Sequence, residues 1–529
     1  MRRREFLQGS VLGGLAATRS VRAAEEQALP AFELEEATVS DLQEKMASGE
    51  LTSRKVTELY LARIEALDKK GPALRSILET NPDALAIAGA LDRERREKGP
   101  RGPLHGIPVL LKDNIDTADR MTTTAGSLAL EGSRPGQDSF VAKKLRDAGA
   151  VLLAKTNLSE WANIRSSQSS SGWSGRGGQC KNPYVLDRNP CGSSSGSGAA
   201  TSANLGALSI GTETDGSIVC PSNANGLVGL KPTVGLVSRA GIIPIAHSQD
   251  TAGPMTRTVR DATILLGALT GIDPRDPATA ASEGKSHTDY TRFLDADGLR
   301  GMRLGVLRKL FGFSEKVDKV LDAALDAMTR AGAVLVDPVE FPSKERVDES
   351  EIEVLLFELK ADLNAYLAGL GAKAPVKTLA DVIEFNEKNR DREMPYFGQD
   401  LFLKAEEKGP LTSPSYLEAL AKNHRVTRVE GIDAVMNEHR LDALLAPTGG
   451  PAWVTDPING DHYVGGSSSA AAAGYPNVTV PAGFVSGLPI GISFFGRAWS
   501  EPTLIKIAFA FEQSTLYRRA PRFLPSASI

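Results

Sequence analysis

Residues 190–233, PCGSSSGSGAATSANLGALSIGTETDGSIVCPSNANGLVGLKPT, include Ser193 and Ser217, which each follow a glycine and lie in two glycine-rich turns. Glycine permits backbone angles and close approaches that a side chain would block, so consecutive backbone N–H groups can converge on a negatively charged oxygen. Runs rich in serine and glycine are most often flexible linkers. Here the run enters a helix predicted over 195–205 and then the apolar strand ALSIG, which indicates a turn built into a sheet of an α/β fold.

A lysine upstream of this stretch, Lys112, lies in a segment that is predicted to be buried, where a charged side chain is unfavourable. Lys112 ends the apolar run of GIPVLLKDN (106–114), which is predicted to be a buried strand. A lysine after a strand is usually a surface residue that extends its charge into solvent, but the flanking GIP and DN favour burial. Burial lowers the pKa of a lysine from about 10.4, and the neutral amine can then accept a proton. A serine hydroxyl needs such a base to become a nucleophile.

Other chemistry finds little support in the sequence. The chain has six histidines, of which His105 and His247 lie near these motifs, and neither belongs to a Gly-x-Ser-x-Gly motif typical of a Ser-His-Asp triad. No GxxxxGK[ST] or GxGxxG fingerprint stands at a strand-to-helix turn, so no nucleotide cofactor is predicted. Neither a CxxC nor an HExxH motif occurs, and no metal is expected.

Several long motifs in one order resemble the amidase signature hydrolases, and within them the bacterial peptide amidases. The resemblance covers roughly residues 37–518. Besides the serine segment its anchors are GIPVLLKDNI (106–115), AKTNLSEWAN (154–163), VGLKPTVGLVSRAGIIP (228–244), DTAGPMTR (250–257), GYPNVTVPAG (474–483) and GLPIGISFFG (487–496).

The resemblance implies both a fold and a set of roles. The fold is one large α/β/α domain around a mixed twisted sheet. By motif position Lys112 matches the catalytic lysine, Ser193 the bridging serine that follows a cis peptide bond, and Ser217 the nucleophile. A proton is expected to pass from Ser217 to Ser193 and on to neutral Lys112, with an acyl-enzyme intermediate and release of ammonia. The oxyanion hole is implied to be the backbone of Thr214, Asp215, Gly216 and Ser217.

Some positions depart from the commonest family pattern. Cys191, Ser195 and Asp215 stand where many members carry glycine, and Val219 where many carry arginine. These changes, with SSGWSGRGGQ at 170–179, favour the peptide amidase branch over the amidotransferase subunits that act on charged transfer RNA. Asp215 is expected either to orient a loop, to act near the substrate, or to be a solvated structural carboxylate.

The cysteines give no indication of a disulfide framework. Cys180, Cys191 and Cys220 are odd in number and form no obvious disulfide framework. Cys191 and Cys220 flank the two serines and are expected to be small buried hydrophobes rather than reactive thiols.

The N-terminus predicts export. Arg2, Arg3 and Arg4 precede EFLQ, the modestly apolar VLGGLAA and the small residues before Glu25. This order is typical of a signal peptide read by the twin-arginine export machinery, so residues 1–24 are predicted to be removed and the enzyme to be periplasmic or secreted.

Composition agrees with a large soluble enzyme. The 529 residues are 41% hydrophobic and 24% charged, with a net charge of −4, which gives no reason to expect nucleic acid or an acidic membrane surface as a partner. Beyond the signal no apolar run is long enough to span a membrane. Length alone suggests about three domains, but no linker is evident, so residues 25–529 are assigned to one amidase signature domain.

Helical and strand patterns alternate along much of the chain, as expected for an α/β sheet. Residues 347–440 differ, because they are long, charged and mostly helical, and they are expected either to wall the substrate cleft or to form a solvated cover. Predicted helices lie over 53–70, 82–98, 138–148 and 501–513, and predicted strands are IPVLL, VLLA, RLGVL, AVLV, DALLAPT, VTVPAG and GISFFG.

Three functions remain in view at this point. The first is a serine amidohydrolase that removes the C-terminal amide of peptides. A second is a broader amidase for aryl, aliphatic or fatty-acyl amides. The third is a secreted binding protein on an inactive hydrolase scaffold, which the joint presence of Lys112, Ser193 and Ser217 disfavours.

Overall fold

The computed structural model describes residues 31–341, 347–371 and 374–527. Residues 36–529 form one compact unit, and a short unit, residues 1–35, precedes it. The predicted signal segment, residues 1–24, lies outside the described residues. Of the short unit, residues 31–35 are described, and they contain a turn.

One large mixed sheet organises the described part of the long unit. Its eleven strands lie in the order β1-β3-β2-β6-β8-β7-β12-β13-β11-β9-β10, and β4 and β5 form a separate two-stranded sheet. The predicted α/β fold around a mixed sheet is therefore confirmed. The strands are β1 Ile77–Thr80, β2 Pro108–Lys112, β3 Val151–Thr156, β4 Trp173–Ser174, β5 Gly178–Gln179, β6 Leu208–Glu213, β7 Val228–Lys231, β8 Thr251–Thr256, β9 Arg303–Val306, β10 Val334–Val336, β11 Ala443–Pro447, β12 Asn477–Val485 and β13 Leu488–Phe495.

Helices pack against this sheet and over one another. They are α1 Val39–Ser48, α2 Ser53–Ile64, α3 Ala84–Lys98, α4 Phe140–Asp147, α5 Ser195–Ser202, α6 Val219–Ala224, α7 Val259–Leu269, α8 Glu315–Arg330, α9 Asp348–Gly369, α10 Leu379–Lys388, α11 Arg390–Glu393, α12 Asp400–Glu406, α13 Pro414–His424, α14 Asp433–Glu438, α15 Ser468–Ala472 and α16 Glu501–Thr515. Within the described residues, no helix combines the length and apolar character needed to cross a bilayer.

Shorter helical turns complete the chain. The π-helical segment Glu65–Lys69 extends α2 to the end of the helix predicted over 53–70, and Arg425–Ile432 links α13 to α14. The 3-10 turns are Leu128–Leu130, Glu160–Asn163, Pro277–Ser282, Thr291–Phe293 and Arg308–Leu310.

Parallel pairing at the centre of the sheet positions the site. Strand β2 lies between β3 and β6 and runs parallel to both, while β8 joins β6 antiparallel. Every residue of β2 and β6 is buried. Strands covered on both faces are expected to be continuous apolar runs, which is why PVLL was recognisable in the sequence.

The helices α9 to α14 occupy the segment 347–440. Helices α9, α10 and α12 share one apolar cluster with the turn at Trp161 and with Ile245, through Leu356, Leu379 and Phe402. This segment therefore packs on the core with an apolar face, in addition to presenting charge to solvent.

A buried ion cluster fastens α11 to the core. The Arg165 guanidinium donates to the Glu393 backbone oxygen at 2.6 Å and pairs with the Glu160 carboxylate, and all three side chains are fully buried. It also lies over the Phe397 ring, 4.4 Å from the ring centroid. Glu393 in turn accepts a hydrogen bond from the Leu128 N–H at 2.6 Å.

Removing this cation should destabilise the protein strongly. We expect Arg165→Met to lower the free energy of unfolding by about 3–5 kcal/mol, because methionine keeps an apolar side chain against Phe397 but leaves the Glu160 and Glu393 carboxylates without their counter-charge. Urea unfolding followed by circular dichroism measures this. Arg300→Met is the matched control, since the Arg300–Asp297 pair is largely exposed and such pairs contribute little. Equal losses in the two variants would contradict the role given to burial.

Candidate active site

The carboxyl ends of β2 and β6 bring the predicted residues to one edge of the sheet. Lys112 is the last residue of β2, and Thr212 and Glu213 end its parallel neighbour β6. Carboxyl ends of adjacent parallel strands meet at the same edge, where α/β proteins place their sites. The loop that follows β6 carries Thr214 to Ser217 and leads into α6.

Lys112 is held by side chains on two sides. Its Nζ donates to Ser193 Oγ at 2.7 Å and to Thr212 Oγ1 at 2.8 Å, and the residue is fully buried. Burial lowers the pKa of Lys112 to about 7, against the opposing effect of the Asp250 and Glu213 carboxylates. Near neutral pH a large share of Lys112 is therefore an uncharged amine that can accept a proton.

Ser193 lies between the lysine and the start of α5. The Gly192–Ser193 peptide bond is cis. A side chain at Gly192 would collide with Ser159 Oγ, so this position requires glycine. The Ser193 backbone oxygen accepts a hydrogen bond from the Ser159 N–H at 3.0 Å, which ties the serine segment to the AKTNLSEWAN motif.

Ser217 lines a cavity of about 200 Å³ together with the three residues before it, Thr214, Asp215 and Gly216. Gly216 has φ +76°, a conformation that glycine adopts without strain. In the described ranges no group accepts a hydrogen bond from the N–H of Asp215, Gly216 or Ser217. These donors are available to a negatively charged oxygen in the cavity, which is what an oxyanion hole requires.

Two carboxylates, those of Glu213 and Asp250, hold this loop by accepting hydrogen bonds. Glu213 Oε2 accepts from the Ile218 and Val219 N–H groups at 2.7 and 3.0 Å. Asp250 Oδ1 accepts from Thr214 Oγ1 at 2.5 Å. Burial raises the pKa of Asp250 to about 6. The loop is thereby fixed on both sides of Ser217.

The contacts of the Asp215 side chain agree with a loop-orienting role, one of the alternatives considered for it. Its two carboxylate oxygens accept hydrogen bonds from Ser467 Oγ and Ser468 Oγ, each at 2.6 Å. These two serines lie at the start of α15. The Asp215 side chain thus connects the loop to a distant part of the chain.

The walls of the cavity are mainly apolar. Ile164, Ile245 and Leu355 line it, and Asp461 adds a second carboxylate to that of Asp215. Leu355 belongs to α9, so the 347–440 segment contributes to the wall of the cavity. This is one of the two roles expected for the segment. The Ser171 N–H donates to Asp461 Oδ1 at 2.9 Å, and burial raises the pKa of this carboxyl group.

A second cavity of about 260 Å³ adjoins the first, and both are lined by Ala162, Thr214 and Ile245. It reaches Asn114, whose Nδ2 donates to Thr212 Oγ1 at 3.0 Å. The two cavities therefore meet at the loop that carries Ser217.

The two histidines near the motifs form hydrogen bonds and ion pairs away from the two serines. The buried His105 ring bonds with the Leu91 carbonyl at 3.0 Å. His247 Nδ1 lies 2.8 Å from Asp362 and its Nε2 3.4 Å from Glu358. Among the described residues, His247, Glu358 and Asp362 form one group with ligand atoms close enough for a metal ion, within 4.8 Å of one another. Neither histidine contacts Ser193 or Ser217.

The cysteine prediction was wrong for two of the three residues. Cys191 and Cys220 form a disulfide, with their Cα atoms 5.9 Å apart, while Cys180 is free and buried. The pairing was hidden because the two residues lie 29 positions apart in sequence and meet only where the two serine-bearing loops converge. Their positions beside Ser193 and Ser217 were the available signal.

Other residues of the site were missed as well. Asp250 opens the motif DTAGPMTR and was visible as part of it, but its contact with Thr214 depends on the pairing of β6 with β8. Asp461 and Leu355 belong to no motif, and only the fold brings them to the cavity.

Comparison with known proteins gives one consistent family. The model of the Amidase family matches residues 55–505. The native peptide amidase of Stenotrophomonas maltophilia superimposes with a TM-score of 0.89 and 53% sequence identity, over 93% of this chain and 100% of that one. An amidase family protein of Bacillus anthracis superimposes with a TM-score of 0.85 and 37% identity, over 92% of this chain and 93% of that one. A probable amidase of Arabidopsis thaliana is 46% identical over 502 residues, 93% of each chain.

Proposed function

The chain belongs to the amidase signature family and is a hydrolase that acts on amides, and from this premise we propose that it removes the C-terminal amide of peptides and releases ammonia. Two findings support the choice of substrate. One is the 53% identity with a peptide amidase over nearly the whole chain. The other is a cavity beside Ser217 whose walls are apolar except for a few polar groups, as expected for a peptide end with its side chain.

The hydrogen bond between Lys112 Nζ and Ser193 Oγ carries the proposed mechanism. Neutral Lys112 accepts the Ser193 proton while Ser193 accepts the proton of Ser217, and Ser217 Oγ attacks the amide carbonyl carbon. The N–H groups of the loop before and at Ser217 stabilise the resulting oxyanion. The proton then returns to the nitrogen as the C–N bond breaks, so that ammonia leaves and an ester to Ser217 remains.

Water completes the cycle by the same path. It attacks the ester carbonyl and gives a proton to the relay, and the ester bond to Ser217 Oγ breaks. The returning proton restores the Ser217 hydroxyl, and the carboxylic acid leaves. A lysine can serve in both directions only if its pKa lies near the working pH, which burial of Lys112 provides.

A broader amidase for aryl, aliphatic or fatty-acyl amides is the second candidate. Ile164, Ile245 and Leu355 favour it, because an apolar wall also accepts a phenyl ring or an alkyl chain. Asp461 favours the peptide alternative, since a carboxylate near the cleft suits the N–H groups or amino terminus of a peptide.

A panel of amides distinguishes the two candidates. We expect kcat/KM for dipeptide and tripeptide amides to exceed that for benzamide and for oleamide by at least about 10-fold, because backbone groups add contacts that the simpler amides lack. Ammonia release is measured for each compound, with a mock purification from cells that lack the protein as the blank for contaminating activity. An equal or higher kcat/KM for oleamide or benzamide would favour the broader amidase.

Replacing Ser217 and replacing Ser193 should have different effects on labelling and turnover. We expect Ser217→Ala to abolish labelling by a fluorophosphonate, and Ser193→Ala to keep the nucleophile but lower turnover by roughly 10²-fold or more through loss of the proton bridge. Mass spectrometry of the labelled protein and ammonia release measure these. Ser195→Ala is the matched control, since its hydroxyl contacts Ser159 Oγ at 3.4 Å and takes no part in the relay. Full labelling of the Ser217→Ala protein would exclude Ser217 as the nucleophile.

The pH profile tests Lys112 directly. Because the neutral amine is the base, kcat/KM should rise with pH through about 7 and remain high in mildly alkaline solution. Lys112→Ala should flatten this rise and lower turnover, and Lys112→Arg should not rescue it, since arginine stays charged. Asp250→Asn removes a carboxylate that raises the Lys112 pKa. The rise of kcat/KM with pH should therefore occur at lower pH in this variant than in the wild type. An active Lys112→Arg enzyme would mean that this position supplies only positive charge.

A further inference from the structure

The Cys191–Cys220 disulfide joins the two loops that carry the proposed reactive serines. Cys191 immediately precedes the Gly192–Ser193 bond, and Cys220 lies in the first turn of α6, just after Ser217. Both cysteines are nearly inaccessible to solvent overall, but both line the cavity beside Ser217. The disulfide is thus part of the cleft wall.

The backbone at Cys191 is unfavourable for a residue with a side chain. Its φ is +56°, in the left-handed region that glycine adopts freely and cysteine does not. Glycine would fit this turn with less strain. A cysteine here is therefore better explained by its bond to Cys220 than by the local conformation.

Besides the disulfide, hydrogen bonds connect the segment around Ser193 with β6 and the loop after it, and two of them join the Ser194 hydroxyl to the Thr212 backbone at 3.0 and 3.1 Å. The Ser194 N–H donates to the Ser217 carbonyl at 3.2 Å, and Asn225 Nδ2 donates to the Pro190 carbonyl at 2.8 Å. These are single hydrogen bonds, which allow small changes in distance and angle. A covalent link between the loops restricts such changes far more strongly.

We propose that the Cys191–Cys220 disulfide positions Ser193 and Ser217 relative to each other, and that its reduction reversibly lowers turnover. The proposal rests on the roles given above to these two serines. Two unbonded sulfur atoms cannot remain at covalent distance, so opening the bond must displace at least one of the two side chains and frees the backbone at Cys191 from the link that holds it at φ +56°. A displacement of about 1 Å between reacting groups is enough to cost on the order of 10²-fold in rate.

The redox step has a simple balance. A dithiol such as dithiothreitol gives two electrons and two protons to the cystine, the S–S bond breaks, two thiols form, and the reagent becomes its cyclic disulfide. Glutathione disulfide reverses the change by taking up the same two electrons and two protons. Because both cysteines line the cavity, the reagent is expected to approach through it.

The experiment uses the full chain with Cys180→Ser, which removes the third thiol. Cys180 is buried, free and outside the site, so this variant should match the wild type before reduction. Treatment with dithiothreitol should expose two thiols per chain and lower kcat by at least about 10-fold, with a smaller change in KM, and glutathione disulfide should restore activity. Prior labelling of Ser217 with the fluorophosphonate should slow thiol exposure, because the label fills the cleft.

Cysteine variants provide a second, independent measurement. Cys220→Ser and the double variant Cys191→Gly/Cys220→Ala both lack the bond, and the double variant also relieves the backbone at position 191. Both should have a lowered kcat that dithiothreitol does not change further. Circular dichroism and thermal unfolding check that the variants are folded, and if one is not, the reversible reduction of the Cys180→Ser protein still decides.

Two results would overturn the proposal. One is full turnover after thiol counting shows that the disulfide is open, and the other is a wild-type kcat in the folded double variant. The Ser217→Ala protein keeps the two questions separate. If it is inactive while the open-disulfide enzyme is fully active, the positioning role alone is wrong. If it retains turnover, the proposed mechanism itself is wrong.

Discussion

Desolvation of one amine is the constraint on which the site depends. Lys112 is fully buried at the end of β2, and the cost of charging it there lowers its pKa to about 7. Two nearby carboxylates, Asp250 and Glu213, act in the opposite direction, so their distance and protonation decide how far the pKa falls. The parallel pairing of β2 with β6 sets that arrangement, because it fixes Lys112 against Thr212 at a common edge. The geometry of the sheet therefore controls the basicity of the site.

The same carboxylates also shape the loop that carries Ser217. Glu213 and Asp250 accept hydrogen bonds from residues of the loop, and Asp215 accepts them from the serines at the start of α15. With its polar side chains bound in this way, the loop keeps its N–H groups at the cavity free. Glu213 and Asp250 thus serve two purposes, which are to oppose the fall in the pKa of Lys112 and to hold the conformation of the loop that carries Ser217.

The centre of the fold could be predicted because local sequence patterns define it. Features that depend on contacts between distant segments could not be predicted. PVLL, VLLA and the glycine-rich serine segment are continuous runs, so their strands and turns could be placed along with Lys112, Ser193 and Ser217. Strands β1, β4, β5, β7 and β8 were missed. ILET of β1 is short and half-buried, TAGPMT of β8 contains glycine and proline, and β4, β5 and β7 are short. Leu355, Asp461 and the Cys191–Cys220 bond depend on chain segments that meet only after folding, and no periodicity or spacing encodes such meetings.

The order of the strands also bears on how the chain is made. Strands β11, β12 and β13 come from residues 443–495, yet they lie between β7, which ends at Lys231, and β9, which begins at Arg303. Until the ribosome has released these late residues, β7 and β9 each present an unpaired edge in the middle of the future sheet. Open edges of this kind pair readily with other chains. Completion of the sheet must therefore wait for residues 443–495, and the edge of β7 stays open to such pairing from the synthesis of Lys231 until β12 has been made.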